Sequence, residues 1–244
     1  MKQGIFTVTE NTPIAKSVYK MTLSGETSGI TAAGQFVNIK LDGCFLRRPI
    51  SVCDCTDGCL TIIYKVVGSG TELMSTYTAG TQLDVLTGLG NGYDLSLCKE
   101  KALLLGGGVG VPPLYLLAKK LISEGKKVFA VLGFNTADEV FYENEFRALG
   151  CEVTVTTADG SRGVKGFVTD ALPENYDYFY CCGPEPMLKA VYKKTVSSGQ
   201  FSFEERMGCG FGACMGCSCK TITGFKRICK DGPVLKKEEI LWED

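Results

Sequence analysis

The chain has 244 residues, 45% of them apolar, which is enough to bury a full core as one large domain or two ordinary ones. Its 26 basic and 27 acidic residues nearly cancel and form no long run of one sign, which argues against a nucleic-acid footprint or a polybasic membrane patch. Histidine is absent, and with it go Ser/His and Cys/His nucleophile pairs, His-ligated zinc and the two-histidine Rieske centre.

The segment from Met1 to Glu10 alternates polar and apolar residues and lacks the continuous apolar stretch of a signal peptide. Nowhere do about 18 apolar residues run together. The expectation is a cytoplasmic protein with no membrane segment. Its 13 cysteines fit a reducing compartment, where they serve as small apolar groups or metal ligands.

From Lys2 to about Leu97, short alternating segments are broken by Gly, Asn and Asp: Gly4 to Glu10, Val18 to Leu23, Gln35 to Leu41, Leu60 to Val67 and Gln82 to Leu86. Even spacing of this kind predicts an antiparallel β-barrel over residues 1–98. Within it, Arg47-Arg48-Pro49-Ile50-Ser51 sets arginine beside a proline-fixed backbone with a hydroxyl close by, which suits a diphosphate. Two adjacent arginines equally suit a solvated face. Gly70-Thr71, after Ile63-Tyr64-Lys65, adds backbone donors and a hydroxyl. Cys53-Asp54-Cys55 with Cys59 suggests a second metal site, but alternation along a strand or turn puts Cys53 and Cys55 on one face as small apolar residues, and Cys44, Cys98, Cys151 and Cys181 read as filler.

The texture changes at Lys101. Ala102 to Leu105 reads as a buried strand, followed by Gly106-Gly107-Gly108-Val109-Gly110-Val111-Pro112-Pro113 and an amphipathic helix through Leu114, Leu117 and Leu121. Proline suits the first helical turn, where a missing N–H costs nothing. A glycine-rich loop between a buried strand and a helix lets backbone approach a pyrophosphate, whose charge the helix N-terminus favours. The bland alternative is a tight turn without a ligand. Strands at Lys127 to Leu132, Glu152 to Thr156 and Tyr178 to Cys182 alternate with helical patterns at Asn144 to Leu149 and Pro186 to Val196, predicting a doubly wound parallel α/β domain over residues 99–200. After the second of its strands, Asp138 and Glu139 with no arginine nearby favour NADH over NADPH.

Residues 201–244 hold six glycines and five cysteines, with too little apolar periodicity for a core of their own. Cys209-x4-Cys214-x2-Cys217, then eleven residues, then Cys229, follows the opening spacing of plant-type ferredoxin ligation and predicts a [2Fe-2S] cluster. Glycines at 208, 210, 212 and 216 let the chain wrap closely and aim N–H groups at the sulfurs. Four thiolates would also serve a structural zinc ion, and Cys219 could replace Cys217 as the third ligand.

The motifs come in a fixed order: Arg-Pro-Ile-Ser, Gly-Gly-Gly-Val-Gly-Val-Pro-Pro, Cys182-Gly183-Pro184-Glu185-Pro186-Met187, then Glu205-Arg206-Met207-Gly208-Cys209 and the remaining cysteines. In this the chain resembles the ferredoxin–NADP reductase superfamily, and is similar to the branch formed by the electron-transfer subunits of dihydroorotate dehydrogenase B. That resemblance implies FAD held by Arg48, Pro49, Ile50, Ser51, Ile63, Tyr64, Lys65, Gly70 and Thr71. It implies NAD(H) over Gly106, Gly107, Gly108, Val109, Gly110 and Pro112 and the Cys182, Gly183 and Pro184 turn. Lys65 departs from a frequent arginine, keeping a cation without the bidentate fork. The resemblance further implies electron exchange with an FMN-containing catalytic subunit that oxidises dihydroorotate in pyrimidine biosynthesis, in a heterotetramer of two of each chain. The alternatives are a reductase subunit serving a ferredoxin or sulfur compound, and a redox-responsive regulator or zinc-stabilised binding module that keeps the fold.

Overall fold

Alternation of apolar residues in the first ninety positions closes a barrel, seen in a computed structural model that describes residues 1–242. Its strands are β1 (Lys2–Ala15), β2 (Val18–Ser24), β3 (Phe36–Ile39), β4 (Arg48–Thr56), β5 (Cys59–Lys65) and β6 (Gln82–Leu89), joined antiparallel in the order β1-β2-β5-β4-β3-β6. Phe6, Met21, Leu23, Val37, Ile39, Val52, Leu60, Ile62 and Val85 fill the interior. Helix α1 (Ser69–Ser75) is fastened to β1 by Asn11, whose Nδ2 donates to the carbonyls of Met74 and Tyr77.

The start of strand β4 is absent from the sequence expectation, since Arg48 and Pro49 there carry no alternating pattern. Pairing on both flanks makes it a strand: Ile39↔Arg48 to Phe36↔Ser51 with β3, and Val52↔Ile62 to Thr56↔Cys59 with β5. A bulge falls between Val52 and Asp54. It leaves Cys53 buried and Cys55 half-buried, so the two do not share one strand face in the simple alternating way expected.

The second half is a seven-stranded sheet in the order β10-β9-β8-β7-β11-β12-β15. Its parallel strands are β7 (Lys101–Gly107), β8 (Lys127–Phe134), β9 (Glu152–Thr157), β10 (Val164–Lys165), β11 (Tyr178–Cys182) and β12 (Gly199–Ser202). Strand β7 is buried almost throughout, as parallel strands covered on both faces must be. Helices α2 (Pro112–Ser123), α3 (Glu143–Ala148) and α4 (Glu185–Lys194) lie close to the predicted positions, with Pro112 and Pro113 in the first turn of α2.

The last segment forms a hairpin of β13 (Ser218–Thr221) and β14 (Gly224–Arg227), then returns as β15 (Val234–Lys236). Strand β15 lies antiparallel to β12, with Phe201 opposite Leu235, so the cysteine-rich segment supplies the outermost strand of the α/β sheet.

One buried core runs without a break from Phe6 and Met21 in the barrel to Leu104, Leu117 and Val155 in the sheet. Helix α2 packs on β4, and Lys119 Nζ reaches Asp54 at 2.8 Å across that seam. A second core joins Phe36, Leu86 and Leu89 on the barrel's outer face to Leu103, Phe201, Cys217, Ile228 and Cys229. Among the described residues, no helix is long and apolar enough to cross a membrane.

Arg47 is bound into this frame rather than solvated. Its Nη1 and Nη2 meet Asp84 Oδ1 and Oδ2 at 3.0 and 2.9 Å, and Nη1 also donates to the Asp84 carbonyl at 2.9 Å. The hydrogen bond from Arg47 holds the Asp84 carboxyl below the usual carboxylate range. A depressed folded pKa contributes stability that is present above the unfolded value of about 4 and lost as pH falls through the folded value. Asp84→Asn is therefore expected to cost about 1–3 kcal/mol at neutral pH, with a deficit that shrinks on acidification. Urea unfolding of wild type and variant at neutral and acid pH checks this.

Candidate cofactor sites

Strands β4 and β5 pair only as far as Val52↔Ile62, so Arg48 to Ser51 and Ile63 to Lys65 sit together at the end of the barrel where that ladder stops. Arg48 lies over the start of α1: a Cβ on Gly70 would stand 2.2 Å from its Nε, so the guanidinium rests directly on that glycine. The two parts of the expected diphosphate clamp are thus in contact, and Arg47 is committed to Asp84. Thr71 is buried, and its hydroxyl closes the turn, accepting from Val67 N at 3.0 Å and donating to the Gly68 carbonyl at 3.0 Å. Ile63 and Tyr64 have buried side chains, Tyr64 Oη donating to Asn11 Oδ1 at 2.9 Å, so what this stretch presents is backbone. Lys65 Nζ meets Glu139 Oε1 at 3.0 Å.

A cleft of about 430 Å³ opens beside Arg48 and Pro49, walled opposite by Glu204, Glu205, Arg206 and Met207. Sequence reasoning missed this second wall. Glu205, Arg206 and Met207 read in the sequence only as the lead-in to Cys209, and it is the return of the chain from β12 that places them there.

The glycine loop behaves as its neighbours require. Gly106 and Gly107 end β7, Gly108 to Gly110 make a single 3₁₀ turn, and Pro112 opens α2. Cys182, which ends β11, pairs with Gly106 across the sheet. A Cβ on Gly110 would lie 2.2 Å from the Cys182 carbonyl oxygen, and one on Gly107 2.4 Å from Met187 Sδ. At Gly110 the loop is therefore packed backbone to backbone on the Cys182-Gly183-Pro184 turn, and at Gly107 it meets the Met187 and Pro184 side chains. Gly108, at φ +52°, faces open space, and Val109 is exposed. This turn adjoins β5, which brings the two predicted nucleotide sites side by side. Burial pushes the Cys182 thiol up to about 12. The acidic pair expected to disfavour a 2′-phosphate is engaged elsewhere, Glu139 with Lys65 and Asn135, and Asp138 with Lys16.

In the last segment, Cys209 Sγ accepts from Ala213 N at 3.3 Å and Cys214 N at 3.5 Å, and Cys217 Sγ from Cys229 N at 3.4 Å. Burial opposes the Cys209 thiolate, but donors from Phe211, Cys214 and Ala213 outweigh it and bring the thiol down to about 6. Burial pushes Cys229 up to about 12, reinforced by Cys217 and Cys209 beside it. These four cysteines thus form one neighbourhood. Cys219 instead lies across the hairpin from Lys226, half-buried and near Glu205. Gly210 and Gly212 hold φ +79° and +91°, conformations that a residue with a Cβ rarely adopts. Among the described residues, no three Cys, Asp or Glu side chains converge as a compact ligand group for one ion. Thiols gathered with N–H groups already aimed at sulfur suit an anionic iron–sulfur cluster.

Residues 204–241 match the family described as the iron-sulfur cluster binding domain of dihydroorotate dehydrogenase B, and residues 104–193 match the oxidoreductase NAD-binding domain. The chain is 49% identical to the dihydroorotate dehydrogenase B (NAD(+)) electron transfer subunit of Fusobacterium nucleatum, over 98% of this chain and 99% of that one. It is 46% identical to the subunit of the same name from Geobacillus sp., over 99% of each. Among solved structures it is similar to a chain of the NADH-dependent reduced ferredoxin-NADP oxidoreductase described for flavin-based electron bifurcation. There the TM-score is 0.88 at 31% identity, over 98% of this chain and 90% of that one. The Amycolatopsis cytochrome P450 reductase shares the fold, with a TM-score of 0.70 at 23% identity over 79% of this chain and 65% of that one. With relatives this similar over nearly the full length, the chain belongs to the family of electron-transfer subunits of dihydroorotate dehydrogenase B.

Proposed function

We propose that this chain is the electron-transfer subunit of an NAD-linked dihydroorotate dehydrogenase, an oxidoreductase of pyrimidine biosynthesis that uses FAD, a [2Fe-2S] cluster and NAD(H). The observation that carries the reading is the meeting of three motifs in one place. The Arg48 strand adjoins the Gly108 turn through β5, and the cleft beside Pro49 is closed by the residues that lead into Cys209. When bound, the nicotinamide would exchange two electrons as a hydride, the flavin would convert between paired and single electrons, and the cluster would carry one at a time, with NAD the final acceptor when dihydroorotate is oxidised.

The chain's own residues bind and orient. Arg48 neutralises the FAD diphosphate, with Gly70 and Thr71 supplying the turn beneath it, while Pro49, Ile50 and Ser51 and the backbone of Ile63, Tyr64 and Lys65 line the flavin. Gly106, Gly107, Gly108, Val109, Gly110 and Pro112 receive the dinucleotide phosphates, and Cys182, Gly183 and Pro184 bound the nicotinamide side. Cys209, Cys214, Cys217 and Cys229 hold the iron. No residue is assigned to proton transfer. The functional units are residues 1–98, 99–200 and 201–244, the last lending β15 to the second.

The partner is an FMN-containing catalytic subunit, in a heterotetramer of two of each chain, closed two-fold symmetry being the commonest arrangement. Exposed Phe45 and Leu46 beside the Arg48 corner, and exposed Phe211 and Met215 on the cysteine loop, give it an apolar docking face. A cytoplasmic location agrees with 13 cysteines, nine of them outside the proposed cluster and none in a disulfide among the described residues. A ferredoxin acceptor is the weaker alternative, since identity to the oxidoreductase chain is 31% against 49% for the dihydroorotate dehydrogenase subunit.

Copurification from the source cell is expected to yield an FMN protein active on dihydroorotate, and a different stable partner would overturn the assignment. The isolated complex is expected to show flavin bands with a broad iron–sulfur shoulder, both bleached by NADH, whereas a colourless zinc protein would refute it. Cys217→Ser is expected to abolish the iron–sulfur absorbance and Cys219→Ser to leave it, and the reverse result reassigns the third ligand. Arg48→Ala is expected to weaken FAD retention about tenfold to a hundredfold, the worth of a charge-assisted hydrogen bond, as measured by flavin release on dilution.

A further inference from the structure

Strand β3 sends Val37 and Ile39 into the barrel core and places Phe36 and Asn38 on its other face, against the cysteine-rich segment. Asn38 stands between Pro49 on β4 and Leu86 on β6 and is 1% exposed. An apolar side chain would serve that position with no polar group to satisfy. The amide keeps one good bond there: Nδ2 donates to the Cys209 carbonyl at 3.2 Å. Its Oδ1 is buried without a partner, so the group is not optimised for stability. Gly210 lies on the same amide, because a Cβ there would come within 2.4 Å of Nδ2.

We infer that Asn38 is a positioning residue for the cluster loop, fixing the Cys209–Gly210 peptide and through it the N–H donors that set the cluster's reduction potential. The inference rests on Cys209 being a cluster ligand. The chain from Gly210 to Cys214 folds back so that the N–H groups of Ala213 and Cys214 point at Cys209 Sγ. That fold-back starts at the peptide plane Asn38 holds. Arg227 braces its middle, Nη1 donating to the Gly212 carbonyl at 3.0 Å. Asn91 grips the far end of the segment, donating to the Val234 carbonyl at 2.8 Å, and so anchors the domain without touching the ligand turn. Donors to sulfur stabilise the extra negative charge of the reduced cluster and raise its potential. Asn38 also neighbours Pro49, so the strand that lines the flavin cleft and the turn that carries the first thiolate share one side chain.

Asn38→Leu removes the donor and keeps an apolar filling. Asn38→Asp keeps the shape, removes the donor and adds a negative charge. In the purified complex, redox titration followed by electron paramagnetic resonance is expected to show a downward shift of the cluster potential in both, larger for the aspartate. Hydrogen exchange at the Ala213 and Cys214 amides is expected to quicken while flavin content stays at the wild-type level. Selective loss of iron with flavin retained also supports the role. An unchanged potential and unchanged exchange in both variants overturn it, as does joint loss of flavin, iron and fold in both, which would make Asn38 a core residue only. Iron and sulfide analysis of the wild type separates the two levels: a wild type without a cluster removes the ligand assignment itself, whatever the variants do.

Discussion

Burial of helix α2 against strand β4 is the contact on which the arrangement of the sites depends. Strand β4 carries the Arg48-Pro49-Ile50-Ser51 stretch at one end, and α2 begins at the glycine loop, so packing one on the other sets the distance between them. The core beneath is continuous, and its fully buried members, among them Met21, Leu104, Leu114 and Leu117, belong to both halves. Burial of this kind stabilises in proportion to the apolar surface covered, whereas the partly exposed Lys119–Asp54 pair across the seam contributes about 1 kcal/mol at most. The two halves are held by this shared burial together with the Lys119–Asp54, Lys65–Glu139 and Lys16–Asp138 pairs that cross between them.

Where nucleotide chemistry is expected, the same economy of space appears in the backbone. Gly110 lets the loop after β7 touch the turn after β11 with no side chain between them, Gly107 makes room for the Met187 side chain, and Gly70 makes room for the Arg48 guanidinium. Each is a place where a methyl group would displace a neighbour. The glycines thus create contact between chain segments as much as they leave room for a ligand.

Much of this was legible in the sequence because it is local. The cysteine spacing, the glycine loop between an apolar run and a helix, and the barrel alternation all lie within a few residues of one another. What was hidden is long-range. Arg47 finds Asp84 at a separation of 37 residues, Lys65 finds Glu139 at 74, and Asn38 finds the Cys209 carbonyl at 171. The start of strand β4 escaped notice because Pro49 disfavours a strand locally, while Cys53 and Cys55 further along it read as lying on a strand or turn, and its two flanking partners make the whole stretch one strand. Asp138 and Glu139 were readable as acidic residues at a nucleotide loop, but their lysine partners on the barrel were not. Glu205 to Met207 were legible as the lead-in to Cys209 but not as a wall of the cleft, since their place follows from where β12 ends.

Strand β15 has a consequence of another kind. It spans three residues and covers the open side of β12, yet the chain reaches it only after passing the cysteine loop and the hairpin, a stretch with little core of its own. A bare strand edge is a template for unwanted pairing with other chains. Sealing that edge therefore comes last along the chain, and it depends on the Ile228, Leu235 and Ile240 side chains of the cysteine-rich segment reaching the second core, so cover for the sheet edge and order in that segment are one packing event.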